Sequence, residues 1–344
     1  MNLRLLLRKP FVDTLFAEQV NLQGRHVIVT GVGPASLGFE SAKTLARWGA
    51  MVHVTTRGNT AAAVHALNNA LAEENIPANI DGHELDLCDT SSVNQFTAWY
   101  LENHGDRLDI LLNNAGVHLD MMSKWKEPKL TADGHEIQWR TNFLGTAHLT
   151  HNLLPLLQKT GDRHGDARIV NVVSQLHSRG RNEALFDPNT AYESWKFYGL
   201  SKLAMIHFSN ELNRRFAKQN KLQSYSLHPG GASGTYTNVA TKGFAGHPII
   251  SFLRKLGAPI EQLFMATAQE GAQTQIHCAT AAQARGGHYY CHCVINEPSC
   301  DAMDESAARR LWDITHHWIK ALSQQPTGTP SPCDDDLPAS KNNQ

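Results

Sequence analysis

The segment Tyr198-Gly199-Leu200-Ser201-Lys202 sets a phenol and an ammonium four residues apart, which on a helix is one face. A cation beside a phenol favours phenolate, so the pair is expected to lower the Tyr198 pKa from about 10 toward neutrality. That would make Tyr198 a general acid/base. The same spacing occurs six residues earlier, in Tyr192 and Lys196, so spacing alone leaves two candidates. A third group, Ser174, ends the apolar run RIVNVVS and offers a hydroxyl to an oxygen on which negative charge develops. Asn113-Asn114-Ala115-Gly116, Asn142 in TNFLGTAHLT and His228-Pro229-Gly230-Gly231 are further polar and glycine positions set beside apolar runs.

These residues need a frame. Strand-like runs (HVIVT, MVHVTT, HELDL, LDILL, RIVNVVS, LQSYSLH, HYYCHC) alternate with amphipathic segments of helical length. Helices are expected from about Gly38 to Trp48, Thr60 to Glu74, Ser91 to Asn103, from about Thr131 to just past Pro155, and from Ala191 to Lys218. Apolar strands in strict βαβ alternation imply an α/β, doubly wound parallel sheet of Rossmann type, with helices on both faces and right-handed crossovers. No repeat or linker interrupts it, so one domain is expected over residues 22–323. Residues 1–21 form an N-terminal extension and 324–344 a Pro-, Ser-, Asp- and Asn-rich disordered tail. Ligands in such sheets bind beyond the carboxyl ends of the strands, where Thr30, Arg57, Asp86, Asn113, Ser174 and Pro229 fall.

Taken together and in order, NNAG, Asn142, Ser174, Tyr198-x-x-x-Lys202 and HPGG resemble the short-chain dehydrogenase/reductase family, from about Leu22 to Cys293. The texture AYESWKFYGLSKLAMIHFSNELNRR and the late GGHYYCHC is similar to its retinol dehydrogenase and WW-domain oxidoreductase branch, without WW modules. The resemblance implies a catalytic set of Asn142, Ser174, Tyr198 and Lys202. Tyr198 would protonate the carbonyl oxygen, Ser174 would hydrogen-bond it, Lys202 would hold the nicotinamide ribose, and Asn142 would position a water that passes protons to Lys202. Asn113, Ala115 and Gly116 would line the cofactor channel, while Asp86 and Leu87 would meet the adenine. Pro229 and Gly230 would form a turn, followed by Ser233 or Thr235, with Thr235 favoured, on the carboxamide. The apolar segment beyond it (Phe244, Ile249, Ile250, Phe252, Leu256) would cover a lipophilic substrate. His177 fits the texture but carries no assigned chemistry.

The glycine-rich turn departs from the family's TG-x-x-x-G-x-G. Gly31 and Gly38 stand, but one residue is added between them, and Ser36 takes the middle glycine position. A Cβ there threatens the close approach of phosphates. A serine hydroxyl and the helix N-terminus at Leu37-Gly38 still suit an anion, so binding is expected. After the second strand stands Thr56-Arg57 with no carboxylate. Arg57 favours a 2′-phosphate, hence NADP(H) over NAD(H).

The chain has 344 residues, of which 41% are hydrophobic and 18% charged, with net charge -1. That near-neutral balance gives no electrostatic footprint for nucleic acid. No run is apolar enough to span a bilayer, and MNLRLLLRKPF reads as a surface helix turn. Six cysteines in so long a chain indicate a reducing compartment, and the expected location is cytoplasmic. Cys291, His292, Cys293, Cys300, His316 and His317 lack metal-ligand spacing, and no metal is expected. Met121, Met122 and Trp125 are either pocket-lining or core. The expected partners are a small-to-medium lipophilic carbonyl or alcohol substrate and, by resemblance, a second copy of the chain. The rival readings are a non-catalytic nucleotide-binding scaffold or sensor, and an enoyl reductase, which would need a wider Tyr–Lys spacing.

Overall fold

The computed structural model of the chain describes residues 15–118, 127–187, 190–230 and 266–322. The expectations for residues 1–14, Met121, Met122, Trp125, Ser233, Thr235, the apolar segment from Phe244 to Leu256 and the tail lie outside them. The strands are β1 (His26–Thr30), β2 (Met51–Thr56), β3 (Ile80–Glu84), β4 (Ile110–Asn113), β5 (Ala167–Val172), β6 (Leu222–His228), β7 (Tyr289–Cys291) and β8 (Val294–Asn296). They form one sheet in the order β3-β2-β1-β4-β5-β6-β7-β8, parallel except for the β7–β8 hairpin. The order reverses between β1 and β4, as in doubly wound sheets.

Strand alternation divides the core into two. Ile28, Leu111 and Ile169 point into one cluster, with Phe96 and Tyr100 of α3 (Thr90–His104), Leu153 and Leu157 of α4 (Thr146–His164), and Leu203 and Ile206 of α6 (Ser194–Asn220). Val27, Val29, Leu112 and Val170 point into the other, with Leu45 of α1 (Leu37–Arg47), Leu67 of α2 (Thr60–Ala72) and Cys278 of α8 (Gln273–Thr280). Central strands are therefore apolar on both faces, and each fully buried Val, Leu or Ile contributes about 1.5–3 kcal/mol. The remaining helices are α5 (Asn182–Phe186), α7 (Ala268–Gly271) and α9 (Glu305–Leu322).

Three expected elements differ. The third strand is Ile80–Glu84 rather than HELDL, because β3 pairs only with β2, in the register Val52↔Ile80 to Thr56↔Glu84. Leu85 and Leu87 are buried by the loop that follows, which mimics strand alternation. The helix expected from Thr131 begins at Ile137, because Thr131 to His135 closes a turn through the Thr131 N–H and His135 carbonyl. It then passes through a π-helical stretch, Arg140–Gly145, and continues to His164 with Pro155 in its interior. HYYCHC is not one strand either. His292 and Cys293 take positive φ (51° and 60°) and turn the chain into β8.

The π-helical stretch is tied down from within. Arg140, fully buried, binds Asp133 Oδ2 at 2.7 Å, the Leu87 carbonyl at 2.5 Å and Thr90 Oγ1 at 3.0 Å, with its guanidinium 5.0 Å from the Trp318 ring. Gly145 closes the stretch directly against the Leu87 carbonyl, where a methyl group would overlap the oxygen. Gly145→Ala is accordingly expected to lower stability by about 1–3 kcal/mol, read as a shift of the urea midpoint.

Candidate active site

The site is assembled at the carboxyl edge from β1, β4, β5, the π-helical stretch and α6. Helix α6 begins at Ser194, which resolves the two Tyr/Lys pairs. Tyr192 precedes the helix and packs on Phe197, with ring centroids 5.1 Å apart, whereas Tyr198 and Lys202 lie one turn apart within it. Lys202 is buried, its Nζ donating to the Val172 carbonyl at 3.0 Å and lying 5.6 Å from the Tyr198 ring centroid. Burial lowers the Lys202 pKa to about 8. It also raises the Tyr198 phenol to about 12, against a hydrogen bond with Ser174 that works in the opposite direction. The expected lowering of the phenol is thus reversed: loss of hydration outweighs the Ser174 hydrogen bond, and both groups are pushed toward their neutral forms.

Ser174 opens the 3-10 turn Gln175–Arg179, its hydroxyl accepting from the Leu176 N–H at 3.2 Å. His177, assigned no role from sequence, fixes this turn. Its Nδ1 donates to the Ser174 carbonyl at 2.7 Å, and its Nε2 accepts the Ser299 N–H at 3.0 Å. The one donor and the one acceptor of that neutral tautomer are thereby both used, and burial holds the imidazole pKa below its ordinary value.

Asn142 sits in the π-helical stretch and clamps the loop after β4. Its amide donates to the Val117 carbonyl (2.9 Å) and to Ser201 Oγ (3.1 Å), and its Oδ1 accepts the Val117 N–H (2.7 Å). Ser201, also unassigned from sequence, passes the link to the Tyr198 carbonyl at 2.8 Å. Gly116 lies where Asn142 and Lys202 converge, since a Cβ there would be 3.3 Å from both Asn142 Oδ1 and Lys202 Nζ. The ring of His118 packs 4.4 Å from that of Tyr198.

Several expected cofactor residues behave differently. Asn113 points into the interior, donating to Thr150 Oγ1 (3.1 Å) and Asn171 Oδ1 (2.9 Å), and so stitches β4 to β5 and α4. It is Asn114 that faces the glycine-rich turn, holding the Thr30 carbonyl (2.8 Å) and the Gly31 carbonyl (3.2 Å). Thr30 Oγ1 in turn accepts the N–H groups of Asn114 and Ala115, each at 3.0 Å. Gly31 has φ +73°, and its missing Cβ would lie 2.7 Å from Ala115 Cα; a Cβ on Gly38 would meet Asn114 Nδ2 at 2.6 Å. The two glycines therefore let the loops after β1 and β4 meet.

The added residue in this turn is absorbed by Ala35 at φ 55°. Ser36 is the N-cap of α1, its hydroxyl accepting the Phe39 N–H at 3.0 Å, and it does not stand in for a glycine at close approach. The first N–H groups of α1, at Leu37 and Gly38, remain at the helix's open end, and a Cβ added to Gly33 would meet nothing within 4 Å. A phosphate-bearing ligand fits this turn. Arg57 is exposed and forms no ion pair among the described residues. Asp86 holds its own loop, accepting the Cys88 N–H at 2.8 Å, and the Leu87 side chain is buried in the core. Gly230 has φ 88°, beside the His292 ring, and follows Pro229 at the end of β6. A polar cleft of about 480 Å³ lined by Arg179, Arg181, Trp195 and Lys196 flanks the start of α6.

A family model described as short chain dehydrogenase matches residues 25–243, and the chain belongs to that family, oxidoreductases of the CH–OH/C=O class. It is similar to retinol dehydrogenase 11 of Homo sapiens, 33% identical over 314 residues covering 90% of each chain. Retinol dehydrogenase 14 of Mus musculus is 35% identical over 313 residues, 88% of this chain and 87% of that protein. The WW domain-containing oxidoreductase of Gallus gallus is 33% identical, covering 87% of this chain and 69% of that one. Among solved structures, an uncharacterized protein of Mycobacterium paratuberculosis superposes with TM-score 0.66 at 28% identity, covering 90% and 98% of the two chains. A Pseudomonas aeruginosa RhlG/NADP active-site complex shares the fold (TM-score 0.59, 22% identity, 84% and 98% covered). Among the described residues, no helix is long and apolar enough to cross a membrane.

Burial of Lys202 has a measurable cost. Its folded pKa, about 8, lies below its ordinary 10.5, so the cost is complete below pH 8 and disappears as pH rises through 10.5. Lys202→Met is expected to be more stable than the parent by about 2–3 kcal/mol at pH 7 in urea unfolding. That gain should shrink when the comparison is repeated at pH 10.

Proposed function

We propose that the chain interconverts a carbonyl and an alcohol on a small-to-medium lipophilic substrate with NADP(H), Tyr198 acting as general acid/base. One observation carries this reading: Tyr198, hydrogen-bonded to Ser174, shares a buried corner with Lys202, and Asn142 and Gly116 close it. The dinucleotide would be held by the turn from Gly31 to Gly38, by Ala115 and Gly116, and by Lys202. When bound, its nicotinamide supplies or accepts the hydride.

The protein groups do the rest. Tyr198 donates its proton to the carbonyl oxygen in reduction and takes it back in oxidation. Ser174 offers a second donor to the same oxygen, and the His177 anchor keeps that hydroxyl from drifting with its loop. Lys202, as an ammonium within one turn, stabilises the phenolate that proton loss leaves behind. Asn142 holds Val117 and, through Ser201, the backbone of Tyr198. Lipophilic specificity is supported by likeness to retinol dehydrogenases 11 and 14, which makes retinal- or steroid-like aldehydes and ketones the first panel. Preference for NADP(H) rests on Arg57, a cation at the end of β2 without an ion-pair partner among the described residues.

The test is NADPH oxidation with medium-chain aldehydes, retinal and ketosteroids. Tyr198→Phe is expected to reduce kcat by about 10²–10⁴-fold while NADPH binding, measured by calorimetry, is kept. Unchanged turnover in that variant overturns the assignment, and binding without any turnover in the parent would make the chain a nucleotide-binding scaffold. Arg57→Ala is expected to weaken NADPH about tenfold and to leave NADH unaffected; an equal loss for both cofactors would remove the basis for the NADP preference.

A further inference from the structure

At the other end of the sheet, three imidazoles meet. His26 opens β1, His53 lies in β2 and His104 ends α3. One ring nitrogen from each falls within 4.8 Å of the other two. His53 Nε2 and His26 Nδ1 are 3.3 Å apart. Two imidazole nitrogens on one tetrahedral zinc ion, each bonded at about 2.0–2.1 Å, stand about 3.3–3.4 Å apart, so this pair already has the required edge length.

Asp81 of β3 completes the arrangement. Its Oδ1 lies 2.5 Å from His53 Nδ1, so the carboxylate takes the Nδ1 proton and leaves the Nε2 lone pair facing His26. A carboxylate behind an imidazole is how metal-bound histidines are usually oriented. His104 Nε2 lies 2.8 Å from Asp81 Oδ2, so the same carboxylate faces two of the three rings. Tyr100 and Trp99 wall the cluster edge-on, at 5.0 and 6.5 Å from the His53 ring. His53 is wholly buried, whereas His26, His104 and Asp81 reach the surface and leave an entry path.

We propose that His26, His53 and His104, oriented by Asp81, bind one divalent transition ion of the imidazole-preferring kind, with zinc the first candidate. The ion would join β1, β2 and the end of α3 at the amino-terminal side of the sheet, away from Tyr198. Its work is structural: it pins β1 and β2 to the end of α3 and takes no part in proton transfer. His104, partly exposed at its helix end, is the ligand that closes from within 4.8 Å onto the pair formed by His26 and His53.

The test uses untagged protein stripped with chelator and titrated calorimetrically with ZnCl₂. One equivalent is expected, with affinity lost at least tenfold in His104→Gln and about 10–100-fold in Asp81→Asn. His316→Gln, which touches a separate histidine pair, should leave the stoichiometry at one. Absence of saturable binding in the parent, or parental affinity in His104→Gln, overturns the proposal. Should either variant fail to fold, the cobalt-substituted parent decides: intense visible bands of four-coordinate cobalt support the site, and a pale six-coordinate spectrum sinks it.

Discussion

The constraint on which the rest of the site depends is the burial of the Lys202 ammonium. It is closed in by the ends of β4 and β5, by Gly116 and by its own helix, with the Val172 carbonyl as its protein acceptor. An ammonium kept from water looks for a negative neighbour, and the nearest group able to become one is the phenol one turn away. The fold therefore holds a proton donor beside a cation in a corner where burial presses both toward their neutral forms, and where the ammonium is the group placed to offset a phenolate when the phenol gives up its proton. Everything around it, from the Asn142 clamp to the glycine-permitted contact of the loops after β1 and β4, keeps that pair dry and in place.

Much of this was legible in the order of residues. Apolar runs such as HVIVT and LDILL could only be central strands, because both faces of each are buried, and the Tyr198–Lys202 spacing could only be productive on a helix. What escaped had a common cause: side-chain direction. Asn113 and Asn114 are adjacent and identical in type, yet one is turned into the interior to meet Asn171 and the other outward to hold Thr30 and Gly31. Strand alternation separates them, and the motif does not say which is which. His177 and Ser201 are also silent in sequence, since each joins a nearby carbonyl to a group far along the chain, Ser299 for His177 and Asn142 for Ser201.

Other departures came from context overriding pattern. Leu85 and Leu87 alternate as a strand would, but the backbone there has left the sheet and Asp86 is folding its own turn. Ser36 could be read as an obstruction in a glycine position, whereas the added residue moves it to the cap of α1, where its hydroxyl is useful. The electrostatic expectation at Tyr198 had its sign reversed because sequence shows charge neighbours and does not show dehydration. The histidines at His26, His53 and His104 are spread over nearly eighty positions and share no motif; the parallel register sets His53 opposite Asp81 and His26 opposite Met51, and the end of α3 brings His104 to the same carboxylate.

The His177 bridge has a wider consequence. Because one ring nitrogen grips the Ser174 carbonyl and the other the Ser299 backbone, the loop bearing the hydroxyl is moored to the late part of the chain. A second mooring runs beside it, from Asn182 to Asp301 through two hydrogen bonds of 2.9 Å. The span after the β7–β8 hairpin thus acts as a buttress: fraying or clipping it would unsettle the geometry at Ser174 from behind.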